Sequence, residues 1–286
     1  MATHHSTPIP NELKTLLEQF EVYLYARCGI SNTTAYLYLG MVRRAFPLIG
    51  ADPAQGAIET YVAHLRRINV SSSYISAICT ALERLSESLG RPIDLRRPRK
   101  KTTSVPQPLT EAEMAILLHS AKNLRERAML SLLAYTGLRN KEFCHLRMRD
   151  VDIPNGLIHV EVGKFNRERL VGVSGECMAI LIEYMKERGG APEDWLFVTH
   201  RHGIQLEQQD VRKLVRVVGA RAGFKRRLWP HLFRHSLATN LIDRGAHLLT
   251  VKDQLGHVYI NSTMNYIHRS KKAHSADYRA HAPSYI

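Results

Sequence analysis

Residues 125–148 read RERAMLSLLAYTGLRNKEFCHLRM. Two helical patterns meet here at one glycine. The spacing predicts an apolar helix from about Arg125 to Tyr135, a stop at Gly137, and a second helical stretch over NKEFCHLRM. Arg139 stands at the joint. Glu142 follows three residues later on the same helical face, where it can orient the arginine. Arginine is a planar, permanently charged fork that fits phosphate oxygens.

The sequence on either side predicts one domain around this segment, residues 109–286. Thr110-Glu-Ala-Glu113 has the form of a capping box at its start. Downstream, Leu157–Val162 and Leu170–Val173 alternate as strands do, and the polar turn GKFNRER (163–169) separates them. A helix is expected near Glu176–Glu187, a short strand at Trp195–Val198, and helices at about 208–222, 231–243, 248–255 and 262–270. There is no internal repeat.

Upstream, residues 1–90 predict a small bundle of four helices. The first runs from about Asn11 to Arg27. The second is capped by Ser31 or Asn32 and carries Tyr36, Leu37 and Val42. Asp52-Pro53 has the form of a cap followed by proline, ahead of Ile58, Tyr61, Val62 and Leu65. Ser71–Ser73 caps the fourth, which Gly90 stops. Residues 91–108, RPIDLRRPRKKTTSVPQP, read as an extended basic linker. Arg96, Arg97, Arg99, Lys100 and Lys101 are its candidate DNA-backbone contacts. The whole is predicted to be mainly α with a small antiparallel sheet, in two domains.

Composition narrows the partner. The formal net charge is +14, which points to a polyanion, and nucleic acid is the default. The four cysteines are scattered without a CxxC pair, so neither a zinc site nor a redox motif is supported. No apolar run reaches the roughly 18 residues needed to span a membrane, and the first ten residues lack a secretory pattern. The expected setting is cytoplasmic, on the nucleoid of a bacterium or carried by a phage.

The remaining polar residues suggest a reaction. His231 and Arg234 stand in PHLFRH (230–235), His257 in LGH (255–257) and Tyr266 in STMNYIH (262–268). Attack of a tyrosine hydroxyl on phosphorus needs fixed cations aimed at the non-bridging oxygens, which suits Arg139 and Arg234. A phenol with a pKa near 10 needs a proton acceptor, and His231 is the best candidate. His257 can donate a hydrogen bond to the phosphate. The leaving 5′ oxygen needs a proton, and Lys164 lies in the predicted turn. A phosphotyrosine conserves the bond energy, so rejoining needs neither ATP nor metal, and no P-loop or two-metal carboxylate cluster is evident.

Taken in order, TGLRNKEF, GKFNRER, PHLFRHSLATNL, QLGH and NYIH resemble the catalytic signature of the tyrosine recombinases, the phage-integrase family. The likeness is to bacterial dimer-resolving recombinases and transposon or integron integrases, over roughly residues 11–270. It implies that Arg139 and Arg234 bind the scissile phosphate, Lys164 protonates the leaving group and His231 gives acid–base help. It implies that His257 hydrogen-bonds the phosphate, Glu142 supports, and Tyr266 is the nucleophile. Phe165 and Arg167 depart from the pattern, which has glycine and lysine there.

The family implies site-specific recombination through a 3′-phosphotyrosyl intermediate and a Holliday junction, by four protomers on two DNA sites, with accessory proteins possible. The outcome would be integration, excision or resolution of a mobile element or replicon. A type IB topoisomerase or a hairpin-forming strand transferase would use the same chemistry, and a DNA-binding protein keeping only the fold is the non-catalytic alternative.

Overall fold

The computed structural model describes residues 10–98, 107–161, 168–199 and 202–257. The chain divides into two compact units, residues 1–105 and 106–286.

The first unit holds four helices: α1 (Asn11–Ala26), α2 (Asn32–Ile49), α3 (Gln55–Arg67) and α4 (Ser72–Ser88). Two begin where the sequence places a cap. The Ser31 and Ser71 hydroxyls accept the amides of Thr34 and Tyr74, satisfying donors that a helix start leaves open. Phe20, Leu24, Val42, Ile58, Ile78, Leu82 and Leu85 close the core with no exposed surface.

Two local expectations fail here. Asp52-Pro53 is not the α3 cap. The helix starts at Gln55 with Ala54 as cap and no capping side chain, and the Asp52 carboxylate pairs instead with Arg91. Of the three apolar positions that mark α2, only Val42 faces inward. The buried face is Ala35, Met41, Val42, Ala45 and Ile49, while Tyr36 and Leu37 are exposed.

The start of the basic stretch lies on this bundle. Leu95 is 4 % exposed within its core. Glu83 accepts the Leu95 amide at 2.9 Å and both Arg97 terminal nitrogens at 2.6 Å. The carbonyl of Arg96 accepts the Arg66 guanidinium. Arg99, Lys100 and Lys101 lie outside the described residues.

The second unit is built around α6 (Leu124–Thr136). Its residues from Ala128 to Ala134 are all buried, as expected of a helix that is apolar all round. It packs against α5 (Glu111–His119), α8 (Gly175–Arg188) and α10 (Pro230–Asp243). The capping box at the start of α5 is reciprocal: Thr110 accepts the Glu113 amide and Glu113 accepts the Thr110 amide. Gly137 ends α6 in the left-handed region, with φ +63°.

The second helical stretch is shorter than predicted. α7 (Asn140–Cys144) stops, a 3-10 turn forms at Met148–Asp150, and β1 (Val151–Asp152) follows. Phe143 is buried, stacked 5.1 Å from Phe197, which stacks 5.0 Å from Tyr184. β2 (Leu157–Val160) pairs antiparallel with β1 and with β3 (Arg169–Gly172). Ile158 sits opposite both Val151 and Val171, and these three with Val160 make the buried face. β1, only two residues long, carries no alternation to read. Trp195–Val198 is not a strand; single bridges link Trp195 to Arg147 and Val198 to Gln205. α9 (Gln208–Arg221) and α11 (Leu248–Leu255) complete the unit. The predicted helix at 262–270 lies outside the described residues. Among those described, no helix is long and apolar enough to cross a membrane.

Candidate active site

Three short segments converge in the second unit: the α6–α7 joint, the first turns of α10, and the end of α11. Arg234 of α10 ties them together. It is 1 % exposed, and it donates to the Gly137 carbonyl at 2.7 Å and to the Leu255 carbonyl at 2.6 Å. The left-handed turn at Gly137 aims its carbonyl at Arg234, and the space there admits no side chain. A Cβ on Gly137 would lie 2.8 Å from Leu255 and 3.0 Å from Leu237.

Arg139 caps α7 from the other side. It donates to Glu142 Oε1 at 2.7 Å and to the Gly256 carbonyl at 2.8 Å, and its amide donates to Glu142 Oε2 at 2.8 Å. Its side chain keeps 31 % of its surface, so part of the fork remains open to solvent. Glu142 is buried, at 3 % exposed. Burial pushes its carboxyl up, but bonds from Arg169 and Arg139 outweigh that and hold it below the usual range. The carboxylate is therefore ionised, and it neutralises one of the two arginines that grip it.

Arg169, the last residue of GKFNRER, is the second. It donates to Glu142 Oε1 at 2.9 Å and Oε2 at 2.8 Å. Its role was hidden in the sequence. The quoted motif contains it, but only the sheet register turns it toward α7. Gln254 was hidden in the same way. Its side-chain amide donates to the Gly172 carbonyl and accepts the Gly172 amide, both at 2.9 Å, fastening α11 to β3. Ser236, inside HSLATNL, accepts the Leu109 amide at 2.7 Å and secures the entry of the chain into the unit.

His231 and His257 face the same charges. His231 is exposed, but the atoms crowded round its ring together with Arg234 and Arg139 lower its pKa. His257 is half-buried. Burial first, then Arg234, Arg139, His231 and Arg169, push it down to about 4. Both imidazoles are therefore neutral at physiological pH. A neutral imidazole can accept a proton or donate one hydrogen bond to an anion. Among the described residues, five cationic or potentially cationic groups stand with the Glu142 carboxylate, which makes a place for an anion. Lys164 and Tyr266 lie outside the described residues, as does the turn at 162–167.

A mostly helical unit with a three-stranded antiparallel sheet, presenting two arginines and two histidines to one place, has the features of a phosphodiester-handling domain. Residues 107–273 match the phage integrase family. The chain is 32 % identical to tyrosine recombinase XerA of Thermococcus kodakarensis over 263 residues, covering 90 % of each. It is 29 % identical to a tyrosine recombinase of Pseudothermotoga lettingae, covering 90 % of this chain and 94 % of the other. Among solved structures, the Tn1549 transposon integrase in complex with a circular intermediate DNA superposes with a TM-score of 0.77 over 93 % of this chain and 99 % of that one, at 17 % identity.

The chain belongs to the phage integrase family. It is a tyrosine recombinase, an enzyme of site-specific recombination that cleaves and rejoins DNA with a tyrosine nucleophile.

Proposed function

We propose that Tyr266 is the nucleophile and that Arg139 and Arg234 hold the scissile phosphate. The observation that carries this reading is the attachment of both arginines to one backbone turn. Arg234 bonds to Leu255 and Arg139 to Gly256, immediately before His257. Two guanidinium groups fixed to adjacent carbonyls can face the two non-bridging oxygens of one phosphate without reorganising during attack.

In this reading the Tyr266 oxygen attacks phosphorus and neutral His231 takes the phenolic proton. The bond to the 5′ oxygen breaks, and Lys164 supplies its proton. This leaves a 3′-phosphotyrosyl link and a free 5′ hydroxyl. His257 hydrogen-bonds the phosphate, and Glu142 holds Arg139. A 5′ hydroxyl from a partner duplex then reverses the steps, and two successive exchanges pass through a Holliday junction. Four protomers on two DNA sites would carry this out, with or without accessory proteins. Residues 1–90 would be the core-DNA-binding domain, residues 91–108 a basic linker and residues 109–286 the catalytic domain. Arg96, Arg99, Lys100 and Lys101 would contact the DNA backbone, and Arg97 would do so only on leaving Glu83. The setting would be a bacterial nucleoid in the cytoplasm, and the substrate a mobile element or a replicon.

Tyr266→Phe tests the assignment on a nicked suicide substrate, where the covalent adduct accumulates. The adduct should vanish while DNA binding stays within about twofold, since one hydroxyl adds little to an interface dominated by phosphate contacts. An adduct that persists in this variant would overturn the assignment and direct attention to Tyr259. Relaxation of supercoiled DNA by the wild-type monomer without strand exchange would favour a topoisomerase outcome instead.

A further inference from the structure

Glu142 is shared by two arginines, and only one of them belongs to the phosphate site as proposed above. Arg169 opens β3, the strand that follows the Lys164-bearing segment. Its side chain is 13 % exposed, and both terminal nitrogens are committed to the buried Glu142 carboxylate. That carboxylate in turn takes the side chain and the amide of Arg139. On its other side Arg169 runs under Gly256. A Cβ there would stand 2.6 Å from Arg169 Cδ and Nε and 2.8 Å from Cζ. Gly256 is also in the left-handed region, at φ +63°, and its carbonyl receives Arg139. One side chain thus sets both anchors of Arg139, the carboxylate and the carbonyl, and lies beneath the residue that precedes His257.

We infer that Arg169 is a positioning residue for the phosphate site, holding Arg139 through Glu142 and holding the His257 turn through its packing under Gly256. The inference rests on the reading of Arg139 as a phosphate ligand. Lysine cannot replace Arg169, because an ammonium has no fork with which to span both oxygens of Glu142. A misplaced Arg139 loses its effect where charge grows on the non-bridging oxygens, and displacements of about 1 Å cost on the order of 100-fold.

The test uses the full chain on a nicked duplex bearing a binding site selected from random DNA. One version carries the ordinary scissile phosphate. The other replaces a non-bridging oxygen with methyl, which removes the charge that Arg139 would meet. Arg169→Lys and Gly256→Ala should slow cleavage of the ordinary substrate by about 10- to 100-fold. On the methylphosphonate the deficit relative to wild type should shrink to about threefold or less, with DNA affinity nearly unchanged. A role confined to folding would lower both rates by the same factor, and that result, or full activity of Arg169→Lys on the ordinary substrate, would overturn the inference. Arg139→Ala run alongside separates the two layers. If its deficit does not shrink on the methylphosphonate, the reading of Arg139 itself fails. If its deficit shrinks and that of Arg169→Lys does not, only the positioning role fails.

Discussion

Gln254 exchanges two hydrogen bonds with the backbone of Gly172, each 2.9 Å long, and so makes one side chain of α11 behave as the next residue of a strand beside β3. The same short helix and the Gly256 that caps it supply the carbonyls that hold Arg234 and Arg139. The sheet and the proposed phosphate site are coupled at this point.

Gln254→Ala should therefore act twice. Two lost bonds of about 0.5–1.5 kcal/mol each predict a stability loss of about 1–3 kcal/mol. Cleavage should fall further than the folded fraction does, because the Leu255 and Gly256 carbonyls lose their support. Chemical unfolding together with the cleavage rate under fully folded conditions checks this; a rate that follows the folded fraction alone would disprove the coupling.

Gly137 and Gly245 offer a matched pair. Both have positive φ, +63° and +81°, but a Cβ meets Leu255 and Leu237 at Gly137 and nothing within 4 Å at Gly245. Gly245→Ala should cost only the left-handed backbone term, about 1–2 kcal/mol. Gly137→Ala should cost that plus overpacking, about 1–3 kcal/mol more, and should reduce cleavage because its carbonyl holds Arg234. Equal shifts in thermal midpoint for the two variants would contradict the close contact.

Acidification should weaken the DNA-free protein. His231 and His257 have native pKa values below the ordinary 6.5. The unfolded chain therefore binds protons that the native chain refuses as pH falls below 6.5. This stability is fully present above that pH and is lost on the way down toward about 4, the His257 value. Unfolding free energy measured between pH 7 and 5 should fall in the wild type and fall less steeply in His257→Asn. A bound phosphate favours the protonated rings, so DNA binding in the same window should take up protons, measurable by calorimetry in buffers of different ionisation enthalpy.

Arg96 and Arg97 should separate by phenotype, although both lie in the basic stretch. The Arg97 guanidinium is engaged by Glu83, while Arg96 accepts the Arg66 guanidinium through its backbone carbonyl. Arg96→Ala should lower the slope of log affinity against log salt by about 0.9, the value for one phosphate contact. Arg97→Ala should cost the bundle about 1 kcal/mol, a modest figure because the pair is partly exposed, and should change the salt slope less. Identical salt slopes for the two variants would show that Glu83 releases Arg97 to the DNA.

Much of this protein was legible in its residues because the governing forces are local. Ser31, Ser71 and the Thr110–Glu113 box cap helices by bonding amides three positions away, and a stop at Gly137 needs only its own backbone freedom. The ordered polar motifs likewise singled out Arg139, Glu142, His231, Arg234 and His257, which the fold brings to one place. Where local signals were ambiguous, the tertiary structure decided. Asp52 reads as a cap but pairs with Arg91, and Tyr36 reads as core until α2 turns its smaller residues inward. Arg169 and Glu142 are 27 residues apart, and Gln254 and Gly172 are 82 apart. No spacing rule reaches across such distances. Sequence alone singled out the candidate residues for handling a phosphate; only the packing of α11 on β3 and of Arg169 beneath Gly256 determined what holds Arg139 and its neighbours in place.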